Sequence, residues 1–141
     1  MNIKLAECTE KDTDYICNKL VEYNLEQVPL RQSIAFENLS LKYVDSNNNI
    51  IAGIIAKMYC WNVVYVDILW VNVDYRSKGF GKCLLKELEK IAKDKGVTLI
   101  HLDTFDFQAK DFYVKQGYEV FGVLDDCPQG HTRYYLKKYL P

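Results

Sequence analysis

Excess charge of one sign, membrane-length apolar runs and paired cysteines are all missing from this chain, and each absence removes a class of protein. The 141 residues carry 18 Lys and Arg against 19 Asp and Glu, a net charge of -1. No basic field exists to hold a nucleic-acid backbone by counterion release, so nucleic acid is not expected as a partner. The longest apolar stretch, Val63 to Val73, is broken by Asp67 and Asn72 and is far shorter than a membrane span. The first twenty residues contain no signal-peptide core. The composition predicts a soluble cytoplasmic protein with no membrane partner. Five cysteines, Cys8, Cys17, Cys60, Cys83 and Cys127, are odd in number and never spaced C-x-x-C. That excludes a disulfide framework and a structural zinc site, and predicts buried free thiols, with Cys83 near a helix start open to mild reactivity. Repeats, low-complexity stretches and linkers are absent too, and residues 1–141 read as one domain.

What is present alternates between strand and helix periodicity. "IKLAE" (Ile3 to Glu7) alternates like a strand. Thr9 with Asp12 then forms a capping pair, and Ile16, Leu20 and Val21 supply a core stripe to the helix it starts, which ends before Pro29. Leu39, Leu41 and Tyr43, the turn "SNNN" and Ile50 to Tyr59 predict a hairpin. Val63 to Val73 is rich in β-branched and aromatic residues, as a central strand should be. Leu84, Leu85, Leu88, Ile91 and Ala92 follow helical spacing up to Gly96. A strand over Val97 to Thr104, a short helix over Phe107 to Gln116, and strands over Tyr118 to Leu124 and Thr132 to Leu140 complete the chain. The sum is an α+β domain, a mostly antiparallel mixed sheet with one strand-helix-strand crossover and helices on both faces.

The chemistry concentrates where the central strand meets the long helix. Arg76, Ser77, Lys78, Gly79, Phe80, Gly81 and Lys82 bring unpaired helix-start amides, a positive dipole end and basic side chains to one place, which suits a phosphate. The loop is neither of two common phosphate binders. The mononucleotide loop fails because Arg76 replaces its first glycine and Cys83 replaces the magnesium-binding hydroxyl. The dinucleotide loop fails because Leu84 stands at its third glycine.

The chain resembles the GNAT superfamily of N-acetyltransferases, whose cofactor loop runs Gln or Arg, two residues, Gly, one residue, then Gly or Ala, as does "RSKGFG" (Arg76 to Gly81). "DILWVNVDYR" before the loop and "AKDFYVKQGYEVFG" (Ala109 to Gly122) extend the resemblance over nearly the whole domain. It implies an acetyl-CoA site where the central strand parts from the next one. The carrier's pantetheine arm would pair with the backbone of Val71 and Val73, and its pyrophosphate would lie on the Arg76 to Lys82 amides. Asp106, standing where the family often has Asn, would be a further cofactor contact. No metal is implied, since a thioester is already activated.

Asp67 is out of place in an apolar strand, where an unpaired buried charge costs several kcal/mol, so it is expected to be exposed, paired or functional. Strand periodicity puts it on one face with Leu69, Val71 and Val73. The resemblance makes it a general base. An amine of pKa about 10.4 facing an ordinary Asp near 3.9 predicts a raised pKa or relay through water. Tyr113 is implied as the general acid. His131 is assigned no role. Glu22, Glu26, Asp67, Asp103, Asp125 and Asp126 could form an acidic mouth for a small cationic amine. A non-catalytic acyl-CoA sensor, or a transferase acting on protein or RNA-linked amines, is the alternative. A homodimer is compatible with this sequence.

Overall fold

The computed structural model describes the whole chain, Met1–Pro141. Its first helix, α1 (Glu10–Gln27), starts at the predicted box: Thr9 accepts from the Asp12 amide while Asp12 accepts from the Thr9 amide. It stops where Val28 turns extended ahead of Pro29. Next come β1 (Phe36–Asn38), β2 (Leu41–Val44), β3 (Ile50–Tyr59) and β4 (Val63–Val71). A short 3-10 turn, Val73–Tyr75, leads to α2 (Phe80–Asp94), followed by β5 (Leu99–Phe105), α3 (Lys110–Lys115), β6 (Glu119–Asp125) and β7 (Thr132–Tyr139).

The strands form one mixed sheet in the order β1-β3-β4-β5-β7-β6, with β2 also on β3. Only β4 and β5 run parallel, and α2 makes their crossover. The predicted hairpin is present, its turn held by Asp45 Oδ1 accepting from the Asn47 and Asn49 amides. The core lies on one face. Ile54, Met58, Val64, Ile100, Leu102 and Leu136 meet Leu84, Leu85, Leu88 and Ala92 of α2 and Tyr113 of α3 in a single buried cluster. Each fully buried Leu or Ile contributes about 1.5–3 kcal/mol, which makes this face the main source of stability. Two ion pairs fasten α2 over it: Lys95 to Glu37 at 2.7 Å and Lys138 to Glu89 at 2.9 Å.

Several local expectations are corrected. Ile3 to Glu7 forms no strand, and Ile3 and Leu5 are exposed because no strand runs beside them. The α1 stripe is not core: Ile16 and Leu20 are exposed, and the helix buries no residue. The central strand stops at Val71 because the Asn72 side chain accepts from the Asp74 amide and bends the chain into the 3-10 turn. The helix after β5 begins at Lys110 rather than Phe107, since Gln108 Oε1 folds back to the Phe105 amide and holds a turn. Of the five cysteines only Cys60 is buried; Cys8, Cys17 and Cys83 are exposed and Cys127 is half-buried. No helix is long and apolar enough to cross a membrane.

Candidate active site

The sheet opens because β4 carries one extra residue. Ile55 of β3 stands opposite Ile68, and Ala56 opposite Val66, so Asp67 has no partner. Such a bulge bends its strand and increases the local twist. The β4–β5 ladder ends at Val66 and Leu102, and from Asp67 to Val71 no strand faces that edge of β4. A cleft of about 860 Å³ fills the gap.

The loop at its mouth is shaped by two residues of positive φ. Ser77 (φ 62) adopts the left-handed region at a cost of roughly 1–2 kcal/mol, while Gly79 (φ 88) enters it freely as the α2 N-cap. The consequence is a run of outward amides. No backbone carbonyl accepts from any amide between Ser77 and Lys82, and the next one, Cys83, binds the Gly79 carbonyl at 3.0 Å. No acidic side chain occupies the first turn. Successive free amides at a helix start make an anion-binding concavity. Gly81 faces inward instead: a Cβ there would lie 3.6 Å from Phe112 Cζ and 3.7 Å from Val71 Cγ2, in ordinary contact with α3 and β4.

Asp67, Val71, Arg76, Ser77, Gly79, Phe80, Gly81, Lys82 and Tyr113, named from the sequence, all line this cleft. Arg76 Nε donates to the Val71 carbonyl at 3.1 Å, which folds its guanidinium along the opening. The side chains of Val73, Lys78 and Asp106 do not line it, although the Lys78 amide belongs to the free run. Val73 belongs to the 3-10 turn, and the Lys78 ammonium sits 5.5 Å from the Tyr75 ring centre. Asp106 is engaged with His131 Nδ1 and the Thr132 amide, both at 2.9 Å. Partial desolvation raises the Asp106 pKa, but these hydrogen bonds outweigh it and leave the carboxyl below its ordinary value.

The side chains on the two lips differ in setting. Asp67 is exposed. Its position in the bulge means that simple alternation with Leu69 and Val71 does not apply to it. Tyr113 is only 6% exposed, and burial, aided by the negative charge of Asp103, pushes its phenol up to about 12. Of the expected acidic mouth, only Asp67 and Asp103 reach the cleft. Asp103 is already committed: the Tyr65 hydroxyl donates to it at 2.6 Å and Arg133 Nε at 2.9 Å. Burial first, and then Asp103, with Asp67 adding its charge, lifts Tyr65 to about 12. The remaining wall includes Trp70, Phe107 and Phe112, to which sequence reasoning assigns no part in the site. The Tyr113 assignment next door was the one signal for Phe112.

A mixed sheet parted beside a bulge, with free helix-start amides at the mouth of the parting, defines a class of acyl-group transferases. The chain belongs to the GNAT family of acetyltransferases: the sequence model for "Acetyltransferase (GNAT) family" matches residues 9–118. Among its relatives is the blasticidin-S acetyltransferase of Streptomyces morookaense, 28% identical over 117 residues, covering 82% of this chain and 85% of the relative. A crystal structure of an acetyltransferase from Bacillus cereus superposes with a TM-score of 0.89 at 37% identity, over 98% of each chain. An aminoglycoside 6'-N-acetyltransferase complexed with coenzyme A shares the fold at 20% identity, with a TM-score of 0.65 over 85% of this chain and 79% of that one.

Proposed function

We propose that this acetyltransferase moves the acetyl group of acetyl-CoA to a primary amine of a small cationic molecule. The observation that carries the reading is the run of unpaired amides from Ser77 to Lys82, which opens into the same cleft as Asp67 and Tyr113. The residues fit such a carrier. The amides with Arg76 and Lys82 suit a pyrophosphate, and the unpaired edge of β4 up to Val71 offers hydrogen bonds to an extended arm. When bound, the thioester supplies an acetyl group already activated toward an amine. Lys78 contributes its amide rather than its side chain to this set, and Val73 and Asp106 do not line the cleft.

Asp67 takes the amine side. It is exposed at the bulge, where its charge attracts a cationic amine and can hold a water that receives the amine's proton. Tyr113 takes the thiolate side. Its phenol stays protonated at neutral pH, but an acid of pKa about 12 cannot readily hand its proton to a thiolate whose conjugate acid is near 8.5. The gap of about 3.5 units, roughly 5 kcal/mol, favours hydrogen-bond donation to the growing negative charge over full transfer.

Calorimetric titration with coenzyme A and acetyl-CoA, followed by thiol release across a panel of amines, tests the reading. Saturable binding and amine-dependent thiol release are expected. Binding without release toward any amine would favour the acyl-CoA sensor, and absence of binding would remove the site altogether.

A further inference from the structure

One part of the chain is unaccounted for by the cleft or the core. An 18-residue helix buries none of its residues, and Ile16, Leu20 and Tyr23, spaced as one helical face, are 56%, 60% and 58% exposed. Ahead of it, the alternating segment Ile3 to Glu7 has no strand partner. The sheet has the complementary vacancies. β1 and β2 pair only with β3, which leaves their outer edge free. On the face away from α2, Ile55 stands opposite Ile68 and Trp70 opposite Gly53, and Ile55, Ile68, Trp70 and nearby Phe36 are all 44–48% exposed.

The arm is not loosely tethered. Trp61 Nε1 donates to the Val28 carbonyl at 2.8 Å, the Arg31 amide to Cys60 at 2.9 Å, and the Cys60 amide to Ala35 at 2.8 Å. Gln32 adds bonds from the Asn62 amide and to the Met58 carbonyl. These bonds fix the course of residues 28–35, from which α1 leads away without burying a residue on its own sheet. The Bacillus cereus structure follows the same course over 98% of the chain, and a TM-score of 0.89 over that length includes the arm.

Area and charge name the occupant. A compact monomer of 16.5 kDa exposes about 7,500 Å² by the size scaling of globular proteins, whereas this chain exposes 10036 Å², an excess of roughly 2,500 Å². Removing that excess from each of two chains gives about 5,000 Å², the range of obligate homodimers. α1 carries Glu10, Asp12, Asp14, Glu22 and Glu26 against Lys11 and Lys19, while Lys42 lies on the edge strand β2 and Lys57 one strand further in, opposite Asn38.

We propose that two copies of this chain exchange their N-terminal arms. Ile3 to Glu7 adds a strand to the partner's β1–β2 edge, and α1 lays its Ile16–Leu20–Tyr23 face on the partner's uncovered sheet. Because Ile68 and Trp70 also line the cleft, the incoming α1 walls its acceptor side. This last step rests on the transferase reading; the exchange itself does not.

Light scattering after size exclusion is expected to give twice 16.5 kDa for the full chain. Hydrogen exchange should protect residues 3–7 and α1, with the protection lost on dilution to monomer. The double substitution Ile16→Glu with Leu20→Glu should halve the mass while leaving circular dichroism of the body and acetyl-CoA affinity unchanged, and should raise KM for the amine at least several-fold. A monomer at tens of micromolar overturns the exchange, as does a dimer whose arm amides exchange freely or whose mass survives the double substitution. A halved mass with unchanged KM keeps the exchange and removes the acceptor wall.

Discussion

The two faces of this sheet treat similar sequence patterns in opposite ways. On one, α2 sets Leu84, Leu85, Leu88 and Ala92 into the buried cluster. On the other, α1 offers Ile16, Leu20 and Tyr23 to solvent. Both helices carry apolar residues at three- and four-residue spacing, so periodicity alone does not decide burial. Connection does. α2 is a crossover between adjacent parallel strands and must return across the sheet, whereas α1 is joined at one end only, through a hinge stapled to Trp61 and Cys60.

The widest break in the comparison is a matched pair of truncations. Leu88→Ala should lower unfolding free energy by about 2–5 kcal/mol in a urea titration, because a fully buried side chain leaves a cavity. Leu20→Ala, measured at dilution where the chain is monomeric, should change it by less than about 0.5 kcal/mol. Equal losses would mean that α1 packs on its own sheet after all.

The next contrast lies at the cleft, between its buried and exposed lips. Tyr113→Phe should slow single-turnover acetyl transfer on the order of 10²-fold with acetyl-CoA affinity kept, since a hydrogen bond to developing charge is removed. Asp67→Asn should act chiefly on the amine side, raising KM for cationic acceptors while leaving acetyl-CoA affinity unchanged. Normal turnover in either variant removes that residue from the reaction.

The smallest effect concerns the uncovered face. His101, bonded to the Tyr59 hydroxyl at 2.7 Å, has its pKa lowered by burial, with Asp103 opposing. A lowered folded value means that the unfolded chain binds the proton more readily. The contribution is therefore intact above about pH 6.5 and declines as pH falls below it. Tm should drop modestly on acidification, and His101→Gln should reduce that slope; an unchanged slope assigns it to other groups.

Much of this was legible in the residues. The capping pair at Thr9, the "SNNN" turn, the crossover helix and the glycine loop each depend on local chemistry, and each stands where the sequence put it. Expectations that needed a neighbour fared worse. Ile3 to Glu7 has strand periodicity but no strand beside it, and the α1 stripe has no surface against it within the chain. Asp106 has the family's spacing from the Ala109 segment, yet its partner is His131, which has no assigned role, from the segment leading into the neighbouring strand β7. The Asp67 bulge was also hidden, because a run of β-formers does not reveal which of its members lacks a partner opposite.

That unpaired residue has a consequence for the strand as a whole. Val66 and Leu69 both turn toward the core although three positions separate them, an odd interval that unbroken pleating forbids. The strand therefore runs in two phases, and Asp67 is the step between them. Deleting Asp67 would bring the phases together into one unbroken pleat, with both halves keeping their faces, and would remove the bend at the parting that admits a ligand.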